Sequence, residues 1–474
     1  MNPKFFSLCG CTSVLIRLIA VSSLVLAAVA TAEPLPDSAA KMDQALVSAF
    51  HADAPGAAVL VVQNGNVILR KGYGLADLEL RVPMDAAQVL PICSITKQFT
   101  AVAILQLVQA GKLKLSDELG QYVADYPTGS ARVTIEELLT HTAGIPSIEE
   151  EPEARKKWRD DLTPVQWLDY TRNKPLGFVP GTNWKYSNTG YCLLGLVIEK
   201  ISGQSYPDYI LTHLFAPAGM THSAYPDGKR IIPNRARGYS RSGKEWIDAP
   251  YYSPTLPYSA GALLASVDDL WAWERALQSG ALLDQDLLQR AYTEGHLPDG
   301  RATHYGFGWE IIPAGARRMI GHAGGMLGFA AFEARVPEAG LYVAILCNTD
   351  VPSRSLRVLT TLLVHLALGE SITDTAATIT LSPDALQKFA GSYQMAPGSN
   401  FVVTVKDAAL YGQLGPGRRP LKAVAPDEFA DAKDEMHFRF VRDQTQHVTQ
   451  VLVATDGAGP ELVWSRSTPS NAVP

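Results

Sequence analysis

Along residues 37–52, DSAAKMDQALVSAFHA, Met42, Leu46 and Phe50 recur at helical spacing and share one face, which predicts an amphipathic helix. The period then changes. GAAVLVVQNGNVILRKGYG holds two β-type runs joined at Asn64-Gly65, a dipeptide suited to a tight hairpin because both residues tolerate positive φ. A second strand-rich stretch, FAAFEARVPEAGLYVAILCNTD, has its turn at Pro337 to Gly340, and LRVLTTLLVHLAL after it returns to helical spacing. Between these β regions the pattern is mostly helical. In SVDDLWAWERALQSG, Ser266 and Asp269 form a capping box and Gly280 stops the helix. Strands from both ends of a long helical insert predict an α+β domain. Its antiparallel sheet is flanked by helices, with a mainly helical subdomain beside it.

Past about Leu368 the composition shifts. GESITDTAATITLSPDA has few large apolar residues and reads as a linker, 371–385. NFVVTV, ALYGQL, MHFRFV, VTQVLVA and LVWS then alternate with turns such as Asp456-Gly457. Five or more short strands over residues 386–474 predict a small antiparallel barrel or sandwich. These strands are expected to fold on their own and to leave the chemistry of residues 33–370 intact.

The N-terminus is of another kind. Lys4 and Arg17 precede LIAVSSLVLAAVATA, and Ala30-Thr31-Ala32 fits the small-residue cleavage rule. The competing reading is a retained anchor, but the stretch is shorter than the about 20 residues a spanning helix needs. Residues 1–32 are therefore expected to be a signal peptide, and the chain to be exported to a periplasm or secreted, with no stable membrane span after cleavage. Loss of Lys4 and Arg17 would take the formal charge from -6 to -8, which gives no basis for a nucleic-acid partner. Of five cysteines, Cys93, Cys192 and Cys347 would remain, too few and too odd a set for a disulfide framework. Their spacing offers no zinc site, and neither a cofactor nor a metal is expected.

Candidate chemistry narrows the picture. Neither Gly-x-Ser-x-Gly nor a phosphate-binding Gly-rich loop nor His-Glu-x-x-His occurs. VLPICSITKQFTAVAILQLV contains Ser94 and Lys97 where a turn opens into an apolar run. At i, i+3 on a helix the lysine amine can reach the hydroxyl, and helix N-terminal amides favour a developing oxyanion. Ser94 could equally be a helix cap, and Ser38-Lys41 repeats the spacing by chance in a surface helix. PGTNWKYSNTGYCLLG places Tyr186 and Asn188 on one side of an extended segment, or else supplies a core tyrosine and an asparagine cap. In GHAGGMLGF, His322 precedes small residues that would let a substrate backbone approach a strand. His304 in THYGFGWE is its rival.

Together, Ser94-Ile95-Thr96-Lys97, Tyr186-Ser187-Asn188 and His322-Ala323-Gly324 stand in the chain order of the serine β-lactamase and penicillin-binding-protein superfamily. Over roughly residues 37–370 the chain resembles its class C branch, with D-aminopeptidase, D-alanyl-D-alanine carboxypeptidase and esterase relatives. LLTHTAGIP, APAGM and SAGALLAS look like recurring blocks of that branch. His-Ala-Gly departs from the Lys-Thr-Gly of most β-lactamases, and the C-terminal strands resemble a lipocalin-like appendage. The resemblance implies a serine hydrolase. Ser94 would form an acyl-enzyme, and Lys97 and Tyr186 would share the proton work. The N–H groups of Ser94 and Gly325 would form the oxyanion hole, with Asn188, His322 and Gly324 at the substrate.

The expected substrate is a short ester, a D-amino-acid peptide or, less favoured, a β-lactam. A catalytically inactive sensor of peptidoglycan or β-lactams is the alternative. A neutral His322, with its reference pKa near about 6.5, should discriminate weakly in favour of carboxylate-bearing substrates. Oligomeric state is not legible in the sequence.

Overall fold

The computed structural model describes residues 36–467 apart from 125, 127, 315–316, 371–377, 396–399, 415–416, 432–435 and 456–458. The expected signal peptide, residues 371–377 of the linker and the Asp456-Gly457 turn therefore lie outside the described residues.

The first domain begins with α1 (Pro36–Ala49) and the hairpin β1 (Ala57–Gln63) and β2 (Asn66–Tyr73). Asn64 and Gly65 take φ of 49° and 81°, the left-handed pair that matches hairpin twist. The insert carries α2 (Thr96–Gln109), α3 (Asn188–Ser202) and α4 (Val267–Gln278). Ser266 caps α4 by accepting the Asp269 N–H, and Gly280 follows its end at φ 74°. Strands β3 (Glu310–Ala314), β4 (Arg317–Met326), β5 (Phe329–Val336) and β6 (Leu341–Cys347) precede α5 (Leu356–Ala367). The sheet order is β2-β1-β6-β5-β4-β3, and every pairing is antiparallel. The two ends of the domain thus meet where β1 pairs with β6.

Apolar residues on the two faces of this sheet build two cores. One holds Met42 and Leu46 of α1, Val59 and Val61 of β1, and Leu359 and Leu363 of α5. The other holds Leu60 of β1 with Phe99, Val102 and Leu105 of α2, Leu193 and Val197 of α3, and Trp273 of α4. Helix α2 is buried on nearly every side. That accounts for its largely apolar sequence and fixes its first turn, which carries Lys97 and follows directly on Ser94. No described helix is long and apolar enough to cross a membrane.

The C-terminal strands close into an eight-stranded antiparallel barrel from Gly391–Gln394 to Leu462–Arg466. Phe389, Phe401, Phe429, Phe440 and Trp464 lie in its core. Residues 378–387 belong with the barrel rather than with a free linker. Ile379 N–H donates to Ala423 O, and Leu386 is part of the barrel core.

Candidate active site

Ser94 does not cap α2. It lies in a short 3-10 turn, Cys93–Ile95, that feeds the helix. Neither helical segment has a side-chain cap at its start. Cys93 adopts φ 50°, a conformation unfavourable for a residue with a Cβ, and the surrounding core must hold it. The resulting kink lets Ser94 line a cleft of about 410 Å³.

Lys97 is fully buried at the base of that cleft. Its Nζ donates to Asn188 Oδ1 at 2.6 Å, to Ala260 O at 2.8 Å and to Ser94 Oγ at 3.2 Å. Burial disfavours the ammonium and lowers the pKa to about 7, with Glu149 pulling partly the other way. Tyr186 is hydrogen-bonded to Ser94, and Lys97 Nζ lies 4.6 Å from its ring centroid. The tyrosine side chain retains some exposure, but enclosure of its phenol end pushes the pKa well above 10. The two groups are therefore driven apart, the lysine toward a neutral amine and the tyrosine toward a retained proton.

The Tyr186-x-Asn188 segment leaves the extended conformation at Ser187, φ -141° and ψ 114°, where α3 starts. Ser187, not Asn188, is the cap, its side chain accepting the Gly190 N–H. Asn188 is thereby freed for Lys97 while still lining the cleft.

His322 lies beside this group but behind it. The residue is 1% exposed, and its ring centroid is 6.1 Å from that of Tyr186. Nε2 is 2.9 Å from the Tyr305 hydroxyl. Nδ1 is 2.5 Å from Ala323 O and 3.8 Å from Glu310 Oε1, so it is the nitrogen placed to carry the proton. Burial lowers the His322 pKa to about 4 rather than leaving it near its reference value, and the Glu310 carboxylate offsets only part of that. Gly324 faces the nucleophile turn. A Cβ there would lie 2.5 Å from Ile92 O and 3.3 Å from Ser94 N. Gly325 lines the cleft with open space around it. Strand β3 pairs with β4 only as far as Gly321, so Gly324 and Gly325 occupy a free edge.

The rival His304 sits 2.8 Å from Glu294, and it is Tyr305 beside it that joins the site. Three further contributors have no signal in the motif spacing. Ala260 supplies a carbonyl to Lys97. His141, from LLTHTAGIP, packs against Tyr186 with centroids 4.3 Å apart and the rings tilted by 41°, and accepts the Ser187 N–H. Its pKa is held well below the usual value by burial. Glu149 lines the cleft, its Oε2 accepting from Ser147 Oγ, which in turn accepts the Asn188 N–H. Among the described residues no group of three His, Cys, Asp or Glu side chains is placed to hold a metal.

The Beta-lactamase family model matches residues 43–368. The chain belongs to the Beta-lactamase family. It is 31% identical over 256 residues to the penicillin-binding protein PbpX of Bacillus subtilis, covering 54% of this chain and 61% of that protein. The chain thus spans about three-fifths of the length of the curated relatives it matches. The octameric penicillin-binding protein homologue of Pyrococcus abyssi is 26% identical with a TM-score of 0.64, covering 90% of this chain and 99% of that one. A D-stereospecific amidohydrolase from Streptomyces is 25% identical with a TM-score of 0.60, covering 70% and 99%.

Proposed function

We propose that this Beta-lactamase family member is a serine hydrolase acylated on Ser94, acting on amides or esters whose acyl part carries a free amine. The carrying observation is a buried Lys97, lowered to about pKa 7, within 3.2 Å of the Ser94 hydroxyl. Neutral Lys97 takes the Ser94 proton as Oγ attacks the carbonyl. The N–H groups of Ser94 and Gly325 receive the oxyanion. As the C–N or C–O bond breaks, Tyr186 gives its proton to the leaving group and takes one back from the Lys97 ammonium beside it. Water then attacks the acyl ester, its proton passing by way of Lys97 to Ser94 Oγ as that C–O bond breaks, which restores the serine hydroxyl and the neutral amine.

The amine preference comes from the cleft's charge. Its described carboxylates are Glu149 and Asp350, and no lysine or arginine is among its described lining residues. Asp350 is held by Ser240 and Gly328, whereas Glu149 stands beside Asn188. A carboxylate next to the scissile bond, as in a β-lactam, meets no fixed cation there, and neutral His322 supplies none. Similarity to the Streptomyces protein, named a D-stereospecific amidohydrolase, supports amides of D configuration as substrates. The N-terminal stretch supports export as its route to substrate.

The test combines intact-mass analysis with turnover. A fluorophosphonate should give one adduct, absent in Ser94→Ala. D-alanine p-nitroanilide should be cleaved faster than its N-acetyl derivative and than a chromogenic cephalosporin, and Glu149→Gln should erase the first difference. A label that stays on Ser94 with no turnover of any substrate would favour an inactive sensor instead.

A further inference from the structure

The cleft does not end at the nucleophile. It adjoins a second chamber of about 510 Å³, within the range of small-molecule sites. The two share Tyr252, Pro257, Met326, Leu327 and Phe329 as common walls, so they adjoin along that side. Beyond the shared wall the chamber is lined by Pro226, Pro250, Pro254 and Tyr251, stiff and largely apolar groups that suit an aromatic or branched side chain.

Its two arginines differ. Arg237 is already spent, 3.0 Å from Glu79 and 2.9 Å from Asp248. Arg235 also lines the chamber and makes no ion pair among the described residues. Its backbone is rigid. It bridges to Val89, with Val89 N–H donating to Asn234 O and Ala236 N–H to Val89 O. Glu149 lines the Ser94 pocket but not the chamber, and Arg235 the chamber but not the Ser94 pocket. The Ser94 pocket therefore carries an anion beside the nucleophile, and the adjoining chamber, whose carboxylates are Asp77 and the Arg237-paired Asp248, carries Arg235 as the arginine outside its ion pairs.

We propose that the chamber is a subsite for the distal part of a short peptide, an apolar or aromatic residue among the prolines and tyrosines with the free terminal carboxylate on Arg235. The inference deepens the proposed function and rests on its reading of Ser94 as the acylated residue. Arg235 would act in recognition, through a charge-assisted bond that an amide terminus cannot match.

Titration calorimetry on full-length Ser94→Ala protein tests this without turnover. The probes are D-alanyl-L-phenylalanine and D-alanyl-L-phenylalanylglycine, each as free acid and as C-terminal amide. At least one free acid should bind about tenfold tighter than its amide, corresponding to about 1.4 kcal/mol. Arg235→Gln should remove that difference, and Arg237→Gln should keep it. Equal affinities for acid and amide, or a preference that survives Arg235→Gln, overturns the proposal. Failure of the hydrolase reading shows separately, as absent Ser94-dependent turnover while the acid preference persists.

Discussion

Lys97 and His322 are both buried bases near Ser94, yet burial serves different ends in them. Lys97 at about pKa 7 can change charge within the working range, whereas His322 at about 4 stays neutral above pH 5. Because the neutral lysine is the proposed base, burst-phase acylation by a neutral p-nitrophenyl ester should rise about tenfold per pH unit below 7 and level off above it. Lys97→Arg, which stays charged, should lose roughly 10²–10⁴-fold. A burst rate flat from pH 5 to 8 would rule Lys97 out as the base. The ratio of carboxylate-bearing to neutral substrates should be flat from pH 5 to 8. The sequence suggests a rise toward pH 6, but desolvation moves that window below pH 5. The residue types were legible in the motifs; the burial that sets their protonation was not.

At the scale of elements, two adjacent glycines of β4 do different things. A Cβ on Gly324 would lie 2.5 Å from Ile92 O and 2.9 Å from Cys93 Cβ, against the turn that carries Ser94. On Gly325 it would meet nothing within 4 Å. Gly324→Ala should therefore destabilise by roughly 1–3 kcal/mol through overpacking. It should also lower kcat/KM by about 100-fold, because the turn must shift relative to β4. Gly325→Ala should leave Tm within about 1 °C of the parent, a surface change without packing consequence. Measuring Tm and kcat/KM on both separates the roles, and equal losses would show that β4 does not support the nucleophile turn. The hairpin at Asn64-Gly65 and the cap at Ser266 were readable because such signals are local. The kink at Cys93 was not, since a strained φ is imposed by the core packed around it.

For the molecule as a whole, the barrel is more than an appendage in space. Its core is separate from the two cores of the first domain, which supports independent folding. Yet Gly459 donates its N–H to Thr303 O, and Arg301 donates to Glu461 O. A Cβ on Gly459 would lie 2.6 Å from the Trp184 ring. Trp184 and Thr303 each stand two residues from a tyrosine of the site, Tyr186 and Tyr305. A chain ending at Glu370 should still fold and still be acylated on Ser94, but with kcat/KM lowered several-fold and up to about 100-fold as the Tyr186 segment loses its cover. Trp184→Ala in the full chain should reproduce part of that loss. Unchanged kinetics in both would show that the contact is passive and that the chemistry is wholly contained in residues 33–370.

The sequence by itself determined what depends on neighbours along the chain. Apolar periodicity, the Asn-Gly turn and the helix cap mark strands and helices, and three ordered motifs name Ser94, Lys97, Tyr186 and Asn188 as a group. It also separated two domains, because the apolar pattern lapses between them. What it left open depends on residues far apart in sequence. Ala260 O and Asn188 Oδ1 meet Lys97 only because α2, α3 and the Tyr258–Gly261 turn pack together. Whether His322 faced the substrate or the protein was decided by Tyr305 and Glu310, which tertiary packing alone brings to its ring. Arg237 takes Glu79 and Asp248 while Arg235 makes no ion pair among the described residues, a division that two arginines two positions apart do not reveal in sequence. Local preference is a property of short stretches, whereas desolvation and partner choice belong to the packed interior.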